Sequence, residues 1–179
     1  FDSTITNNGG AGITTNVALN KNKVYLISGF VYVRNNASIT IPAGTLLLGE
    51  FATEGSLIIE RGGKIFANGT AEEPIVFTSQ FAPGSRNRGD WGGIVICGIA
   101  DNNRPGGNFI VEGNIGSVAG FGDAAFPTKN DNDNSGVMRY VRIEFPGYAF
   151  TANNEINGLT LGAVGAGTTL EHIQVSYSD

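Results

Sequence analysis

The stretch Ser56–Gln80, SLIIERGGKIFANGTAEEPIVFTSQ, decides the fold. Gly62-Gly63, and then Asn68-Gly69-Thr70 with Pro74, divide it into apolar runs rich in β-branched or aromatic residues. Each run is too short for a helix and is predicted to be a strand that ends in a turn: Leu57–Ile59, Ile65–Ala67 and Ile75–Phe77. No two-residue hairpin turn lies between alternating strands. The chain therefore turns repeated corners instead of reversing, as in a coil of a β-solenoid.

The composition favours an exported all-β protein that does not bind nucleic acid. Charged residues make up 15% of the 179 residues, against roughly 25% in an ordinary soluble domain, and the chain contains 27 glycines. Low charge and abundant glycine indicate many turns between short strands. The net charge is −5 and the 11 Lys and Arg residues are scattered, whereas phosphate binding needs clustered cations. An acidic, weakly charged surface suits an extracellular or cell-surface location.

Two similar segments predict an internal repeat. Ser38–Gly44 superimposes on Ser56–Gly62 at an offset of 18 residues, and a second apolar run follows the glycine in both. A period near 20 residues is typical of stacked coils, and we expect roughly seven to nine coils about 4.8 Å apart. Near the C-terminus, Met138–Phe145 alternates, so Met138 and Val141 are predicted to face opposite sides of one strand.

The chain divides into a lead-in and one solenoid domain. Residues 1–23 are polar and rich in turns, and we predict an irregular lead-in or cap. Residues 24–179 are predicted to form the β-helix, with long loop insertions at residues 80–136 that contact a partner. The chain stops at Ser176–Asp179, directly after a predicted strand. We therefore expect either a part of a longer protein or an end whose free strand edges are used.

Four stretches carry a resemblance to a known group of proteins. In order within residues 24–179 they are SLIIERGGKIFANGTAEEPIVFTS, GDWGGIVICG, DNSGVMRYVRIEFPGYAF and NNEINGLTLGAVGAGTTLEHIQVSYSD. In them the chain resembles secreted or cell-surface proteins of Bacteroidota that are described as right-handed parallel β-helices. The resemblance implies that fold and export from the cell. It implies little chemistry, since most members have no established activity.

An acidic loop is the candidate metal site. Asp131, Asp133 and Ser135 supply oxygen donors at alternate positions before Gly136, as at the start of a calcium-binding loop. The twelfth position is Arg142, where an EF-hand needs a bidentate Glu. An EF-hand is therefore excluded, and either a looser calcium site or a solvated turn fits the pattern. No cofactor is predicted to be required, and calcium is the single candidate.

Aromatic side chains are the candidate sugar platforms. We predict ligand binding at Trp91, Tyr140 and Tyr148, whose rings can stack on sugars; the alternative is that they form core or ladder stacks. The single cysteine, Cys97, is expected to be a small buried hydrophobe. The single histidine, His172, is expected to be a surface or ladder residue. These assignments leave no predicted catalytic residue.

The observations give two hypotheses from different classes. The first is an exported structural or adhesive module that stacks end to end with itself or contacts other cell-surface proteins through its loops. The second is a carbohydrate-binding module or a polysaccharide-lyase-like β-helix. For a lyase, Arg139 and Arg142 beside the Asp131–Asp133 loop would supply a base next to calcium. We expect no enzymatic activity, and no membrane span because the apolar runs are far too short.

Overall fold

The computed structural model describes residues 1–152 and 154–179. A 3₁₀ turn spans Asn8–Gly10 near the start of the chain. Short strands make up the rest of the regular structure in the described residues: β1 (Ser3–Ile5), β2 (Val17–Ala18), β3 (Val24–Ile27), β4 (Phe30–Val33), β5 (Ser38–Ile41), β6 (Leu46–Gly49), β7 (Ser56–Ile59), β8 (Lys64–Asn68), β9 (Ile75–Ser79), β10 (Gly93–Cys97), β11 (Asn108–Ile110), β12 (Val118–Gly120), β13 (Gly136–Glu144), β14 (Tyr148–Thr151), β15 (Asn154–Ile156), β16 (Leu159–Gly162) and β17 (Thr169–Ser176).

The strands form three parallel walls of a right-handed β-helix. Wall 1 contains β4, β7, β10 and β16. Wall 2 contains β2, β5, β8 and the first half of β13, and wall 3 contains β1, β3, β6, β9 and the second half of β13. β17 pairs with β13 along both halves. Because the chain passes from wall 3 to wall 1 to wall 2 and back, hydrogen-bonded neighbours come from successive coils. The predicted all-β parallel β-helix is confirmed.

Aliphatic side chains fill the interior between the walls and stack in register. In wall 1, Val31, Leu57 and Ile94 follow one another from coil to coil, and each is at most 1% exposed. Burying such a side chain stabilises the fold by about 1.5–3 kcal/mol. Because the column repeats at every coil, the interior stabilises the solenoid along its whole length.

β13 contains a corner that the alternating sequence pattern hides. Met138 and Val141 are both fully buried, so the prediction that they face opposite sides is wrong. Tyr140, between them, has a left-handed backbone (φ +48°) at the point where the chain passes from wall 2 to wall 3. A single left-handed residue shifts the phase of the pattern, and a count with period 2 cannot detect it.

The coils are longer than the predicted offset. Ser56 pairs with Phe30, and Lys64 pairs with Ser38, each 26 residues earlier. The superposition of Ser38 on Ser56 is therefore wrong, because it matched wall 2 of one coil with wall 1 of the next. All walls use similar apolar runs, so neighbouring walls resemble each other in sequence. The described part of wall 3 holds six strands, fewer than the roughly seven to nine coils expected at a spacing of about 4.8 Å.

The first 23 residues run across the first coil. β1 pairs with β3 and β2 pairs with β5, both in parallel, and Ile13 forms a bridge to Val33 of wall 1. This segment therefore contains strands in the same three-wall arrangement as the coils that follow. Within the described residues, no helix has the length and apolar character needed to cross a membrane.

Three longer connections lie outside the walls of the coils. Residues 80–92 and 145–158 link wall 3 to wall 1, and residues 98–135, here called the insertion, link wall 1 to wall 2. The insertion carries the antiparallel hairpin β11–β12, and residues 145–158 carry the hairpin β14–β15. The predicted loop region 80–136 thus contains one wall strand, β10, and one hairpin.

Candidate ligand-binding cleft

The insertion folds back onto the outer face of wall 1. Tyr32, Ile58 and Val95 stack in register on that face. The Tyr32 hydroxyl donates a hydrogen bond to the Ile115 carbonyl of the insertion at 2.6 Å. A second apolar core lies between the wall, the insertion and the β14–β15 hairpin: Ile58, Val95, Cys97, Val111, Ile115, Ala119 and Ile156. The insertion is therefore a packed part of the fold and is not extended into solvent.

Arg61, directly after β7, fastens the insertion to wall 1. Its Nη1 donates to the Gly120 carbonyl at 2.9 Å and its Nη2 to the Asp123 carboxylate at 2.7 Å. The guanidinium also lies over the Phe126 ring, 4.6 Å from the centroid. The Arg61 side chain is only 10% exposed, and a charge-assisted hydrogen bond in such a setting is stronger than one in water.

A cleft of about 350 Å³ remains open beside this contact. One side consists of two stacked turns, residues 34–36 after β4 and residues 60–61 after β7, and the other side is the insertion around Phe126. Because Val33 and Ile59 are paired, the residues that follow them occupy equivalent positions in successive coils. Asn35 and Asn36 have left-handed backbones (φ +57° and +60°), which Asn tolerates better than most residues.

Each arginine of the cleft is paired with a carboxylate. Arg34 Nη2 donates to Glu60 Oε1 at 3.0 Å, and the Arg34 guanidinium stacks over Tyr32 at 4.4 Å from the ring centroid. The hydrogen bond from Arg61 holds the pKa of the Asp123 carboxyl below its usual value. Burial raises the pKa of the Tyr32 hydroxyl, and the Glu60 charge adds to that effect. Each guanidinium charge at the cleft is thus compensated by a neighbouring carboxylate.

Residues 11–179 match the family model for a pectate-lyase-like β-helix domain. The chain belongs to this family. Searches of curated proteins and of solved structures found no match. The resemblance to a β-helix family is confirmed, whereas origin in Bacteroidota and secretion stay predictions. In this pectate-lyase-like β-helix the cleft lies at the edge of wall 1, where the insertion leaves the coil.

The predicted calcium ligands lie at the end of the insertion and do not line the cleft. Asp131 accepts a hydrogen bond from the Asp101 N–H at 2.9 Å, and Asp133 accepts one from the Ile99 N–H at 3.2 Å. Ser135, the third predicted ligand, is buried. In residues 1–152 and 154–179, no three His, Cys, Asp or Glu side chains form a group that could hold a metal ion. The calcium site of this β-helix domain stays a prediction.

The basic residues predicted beside that loop are paired along the walls. Arg139 Nε lies 2.7 Å from the Glu171 carboxylate of β17, and Arg142 Nη2 lies 2.5 Å from the Glu144 carboxylate of β13. Both ion pairs involve neighbouring positions on strands. Among the described contacts, neither arginine reaches the Asp131–Asp133 loop.

Trp91 is a core residue of the β-helix. Its side chain has no exposed surface, its ring stacks on Phe77 at 6.3 Å between centroids, and its Nε1–H donates to the Glu144 carbonyl at 2.8 Å. The prediction that Trp91 binds a ligand is therefore wrong. The ring turns inward because Gly49 on wall 3 leaves the space: a Cβ at that position would overlap the indole. The sequence around Trp91, including Gly92 and Gly93, does not indicate that the ring turns inward.

The other two predicted aromatics lie apart from each other and from the cleft. Tyr140 stacks on His172 at 4.3 Å between centroids, and both are left-handed corner residues of adjacent coils. The expectation that His172 is a surface or ladder residue is confirmed, since it is exposed and stacked. Tyr148 packs edge-on against Phe150 at 4.9 Å, in the β14–β15 hairpin. Ligand binding at Tyr140 and Tyr148 stays a prediction.

The residues of the cleft were not predicted as a site. The signal that could have found them is the true 26-residue offset, which aligns Arg34-Asn35-Asn36 with Glu60-Arg61-Gly62 directly after paired strands. The incorrect offset hid this alignment. Asp123 lies 62 residues from Arg61 in sequence, and no local pattern reveals such a contact.

Proposed function

We propose that this domain is an exported, non-catalytic adhesive module that binds polysaccharide in the cleft between wall 1 and the insertion. The observation that carries the proposal is the cleft itself, a concave site of about 350 Å³ whose insertion side is held in place by Arg61. Concave sites with a few convergent polar groups are the usual places for ligands. Membership of a pectate-lyase-like family supports a polysaccharide as the ligand.

The groups in the cleft suit sugar hydroxyls. The exposed Asn35 and Asn36 side chains offer both donors and acceptors. Glu60 is partly buried and adds carboxylate acceptors, and Phe126 contributes an aromatic ring at the insertion side. Sugar rings bring hydroxyls together with apolar C–H faces, so this mixture of amide, carboxylate and ring matches a carbohydrate.

The paired charges favour binding over catalysis. A general acid needs a raised pKa, whereas Arg61 holds the pKa of the Asp123 carboxyl low. Proton abstraction by an arginine requires a guanidinium that has lost its proton, whereas arginine side chains stay charged in proteins. A fold shared with lyases does not supply a reaction by itself.

The proposal is tested by affinity electrophoresis in gels that contain individual polysaccharides, together with an ultraviolet assay for unsaturated lyase products. We expect retardation in at least one polysaccharide and no release of unsaturated products. Arg61→Gln should weaken retardation by loosening the insertion, and Arg139→Gln, which breaks an exposed ion pair on β13, is the matched control. Unretarded migration in every gel contradicts binding, and product release contradicts the absence of catalysis.

End-to-end association is a second candidate function, and one observation favours it. At the end face formed by β16 and β17, Leu161, Val175 and Tyr177 are 46%, 43% and 70% exposed. Among the described strands, β16 pairs only with β10 and β17 only with β13. Within the described residues no further strand pairs with the outer edge of β17, and β1 and β2 of a second copy, which belong to walls 3 and 2, would extend that edge.

A further inference from the structure

We infer that the cleft selects neutral polysaccharides over acidic ones. This inference rests on the proposed function and adds the class of ligand. The family description points to pectate, a polymer of uronic acids. Recognition of a carboxylated polymer needs cations whose charge is free to act on the ligand. The cations that line the cleft are Arg34 and Arg61.

Arg61 is not available to an acidic sugar. Nη1 is used on the Gly120 carbonyl and Nη2 on the Asp123 carboxylate. The Phe126 ring covers one face of the guanidinium, and 10% of the side chain is exposed. A uronate that displaced Asp123 would break the contact that holds the insertion in place.

Arg34 is also paired with a carboxylate, although its side chain is more exposed than that of Arg61 (27% against 10%). Its Nη2 donates to Glu60 Oε1 at 3.0 Å, and its Nε also lies 3.0 Å from Glu60 Oε2. The Tyr32 ring lies against its guanidinium. An acidic sugar approaching Arg34 would meet the Glu60 charge at nearly the same distance, so attraction and repulsion largely cancel. The net charge of −5 on the chain opposes a polyanion further.

The groups that remain are neutral or are acceptors. Asn35 and Asn36 are exposed at the cleft, and each amide can donate and accept hydrogen bonds. Glu60 lines the cleft, and its partly exposed carboxylate can accept from hydroxyls. Adjacent hydroxyls of a neutral hexose or pentose fit this set, because they donate to carboxylates and also pair with amides.

Asparagine-to-glycine substitutions allow a clean test. Glycine adopts the left-handed backbone readily, so Asn35→Gly and Asn36→Gly remove the amides and keep the turn. Asn8→Gly is the matched control, because Asn8 is also exposed and left-handed (φ +45°) but lies outside the cleft. The probes are three neutral polysaccharides (a β-glucan, a galactomannan and a xylan) and two acidic ones (polygalacturonate and alginate), each titrated at low and high salt.

We expect binding to at least one neutral polysaccharide with an affinity that does not change with salt. Each cleft substitution should weaken that binding by about 2- to 10-fold, the loss of a neutral hydrogen bond, and Asn8→Gly should bind as the wild type does. Tighter binding of an acidic polymer that falls with salt would overturn the inference and leave the proposed function standing. Neutral binding that neither cleft substitution changes would overturn the inference and would also contradict the cleft as the binding site in the proposed function. Binding to none of the five polymers would overturn the proposed function and this inference together.

Discussion

Two glycines with left-handed backbones differ in the space around them, so substituting each with alanine distinguishes the cost of backbone strain from the cost of a steric clash. Gly136 (φ +116°) begins β13, and a Cβ there would overlap the Ile65 carbonyl oxygen of the coil beneath. Gly84 (φ +87°) has no atom within 4 Å of the same position. We expect Gly84→Ala to cost about 1 kcal/mol of strain and Gly136→Ala to cost about 3 kcal/mol or more, because the clash adds to the strain. Urea unfolding followed by circular dichroism measures both, and equal losses would contradict the close stacking at Gly136.

The Asp123 carboxylate gives the attachment of the insertion a pH dependence. Its pKa is lower in the folded chain than in the unfolded one, chiefly because Arg61 donates to it. Its contribution is therefore complete above the ordinary carboxyl pKa of about 4 and is lost as the pH falls through the lower folded value. Asp123→Asn should lower the free energy of unfolding at neutral pH. The difference in this free energy between the variant and the wild type should shrink as the wild-type carboxyl gains a proton at low pH.

Urea titrations of both proteins from neutral pH to about pH 2 check this dependence. Asp179→Asn is the control, because Asp179 lies 3.8 Å from Arg88 and both side chains are more than half exposed, so its loss should change little. If the difference in the free energy of unfolding between Asp123→Asn and the wild type stays constant down to the lowest pH, the carboxylate charge does not contribute to the attachment of the insertion.

At the level of elements, detachment of the insertion from wall 1 can be measured through the reactivity of the Cys97 thiol, which lies beneath it. Cys97 is fully buried in the core between wall 1 and the insertion, as predicted for a small hydrophobe, and burial raises the pKa of its thiol to about 12. A thiol reagent at mildly alkaline pH should therefore react only when the insertion detaches. Arg61→Gln removes the charged hydrogen bonds that fasten the insertion, so we expect Cys97 to react about 10-fold faster or more.

Arg139→Gln is the matched control for the thiol experiment, since it also removes a guanidinium paired at 2.7 Å but on the exposed face of β13. Its Cys97 should react as slowly as in the wild type. Equal rates in all three proteins would mean that Arg61 does not hold the insertion on wall 1.

At the level of elements, the strands were predictable from sequence and the corners were not. The apolar runs around Ile58, Ile65 and Phe77 became β7, β8 and β9, because short β-branched runs between glycine and asparagine turns have few other structures available. The bend at Tyr140 was missed since a left-handed tyrosine has no sequence signature. The inward turn of Trp91 depends on Gly49 of the preceding coil, a contact between residues 42 positions apart.

For the whole molecule, the end face formed by β16 and β17 makes association testable. Leu161→Glu and Val175→Glu place charges among exposed apolar side chains there. Ile110→Glu is the matched control, because Ile110 is 75% exposed on the β11–β12 hairpin. If copies stack end to end, sedimentation velocity should show concentration-dependent species for the wild type and Ile110→Glu, and monomers for the two end-face variants. Monomers of the wild type at every concentration would contradict stacking.

The fold was predictable at this scale and the cleft was not, for a physical reason. A solenoid repeats one local pattern, so the single stretch Ser56–Gln80 indicates the architecture of every coil. The cleft instead lies between turns of two coils and the insertion. Its ion pair joins Arg61 to Asp123, which lies 62 residues later in the insertion. Such contacts between distant residues depend on the assembled fold and leave no periodic trace in the sequence.

The most direct test of the polysaccharide-binding cleft is a two-dimensional amide NMR titration with short oligosaccharides of the neutral polysaccharides named above. If the cleft binds the ligand, the shifts should saturate and be confined to residues 34–36, residues 60–61 and the insertion between residues 116 and 126, where the cleft lies. Saturating shifts confined to the β14–β15 hairpin around Tyr148, or to the end face at β16 and β17, would contradict binding in the cleft.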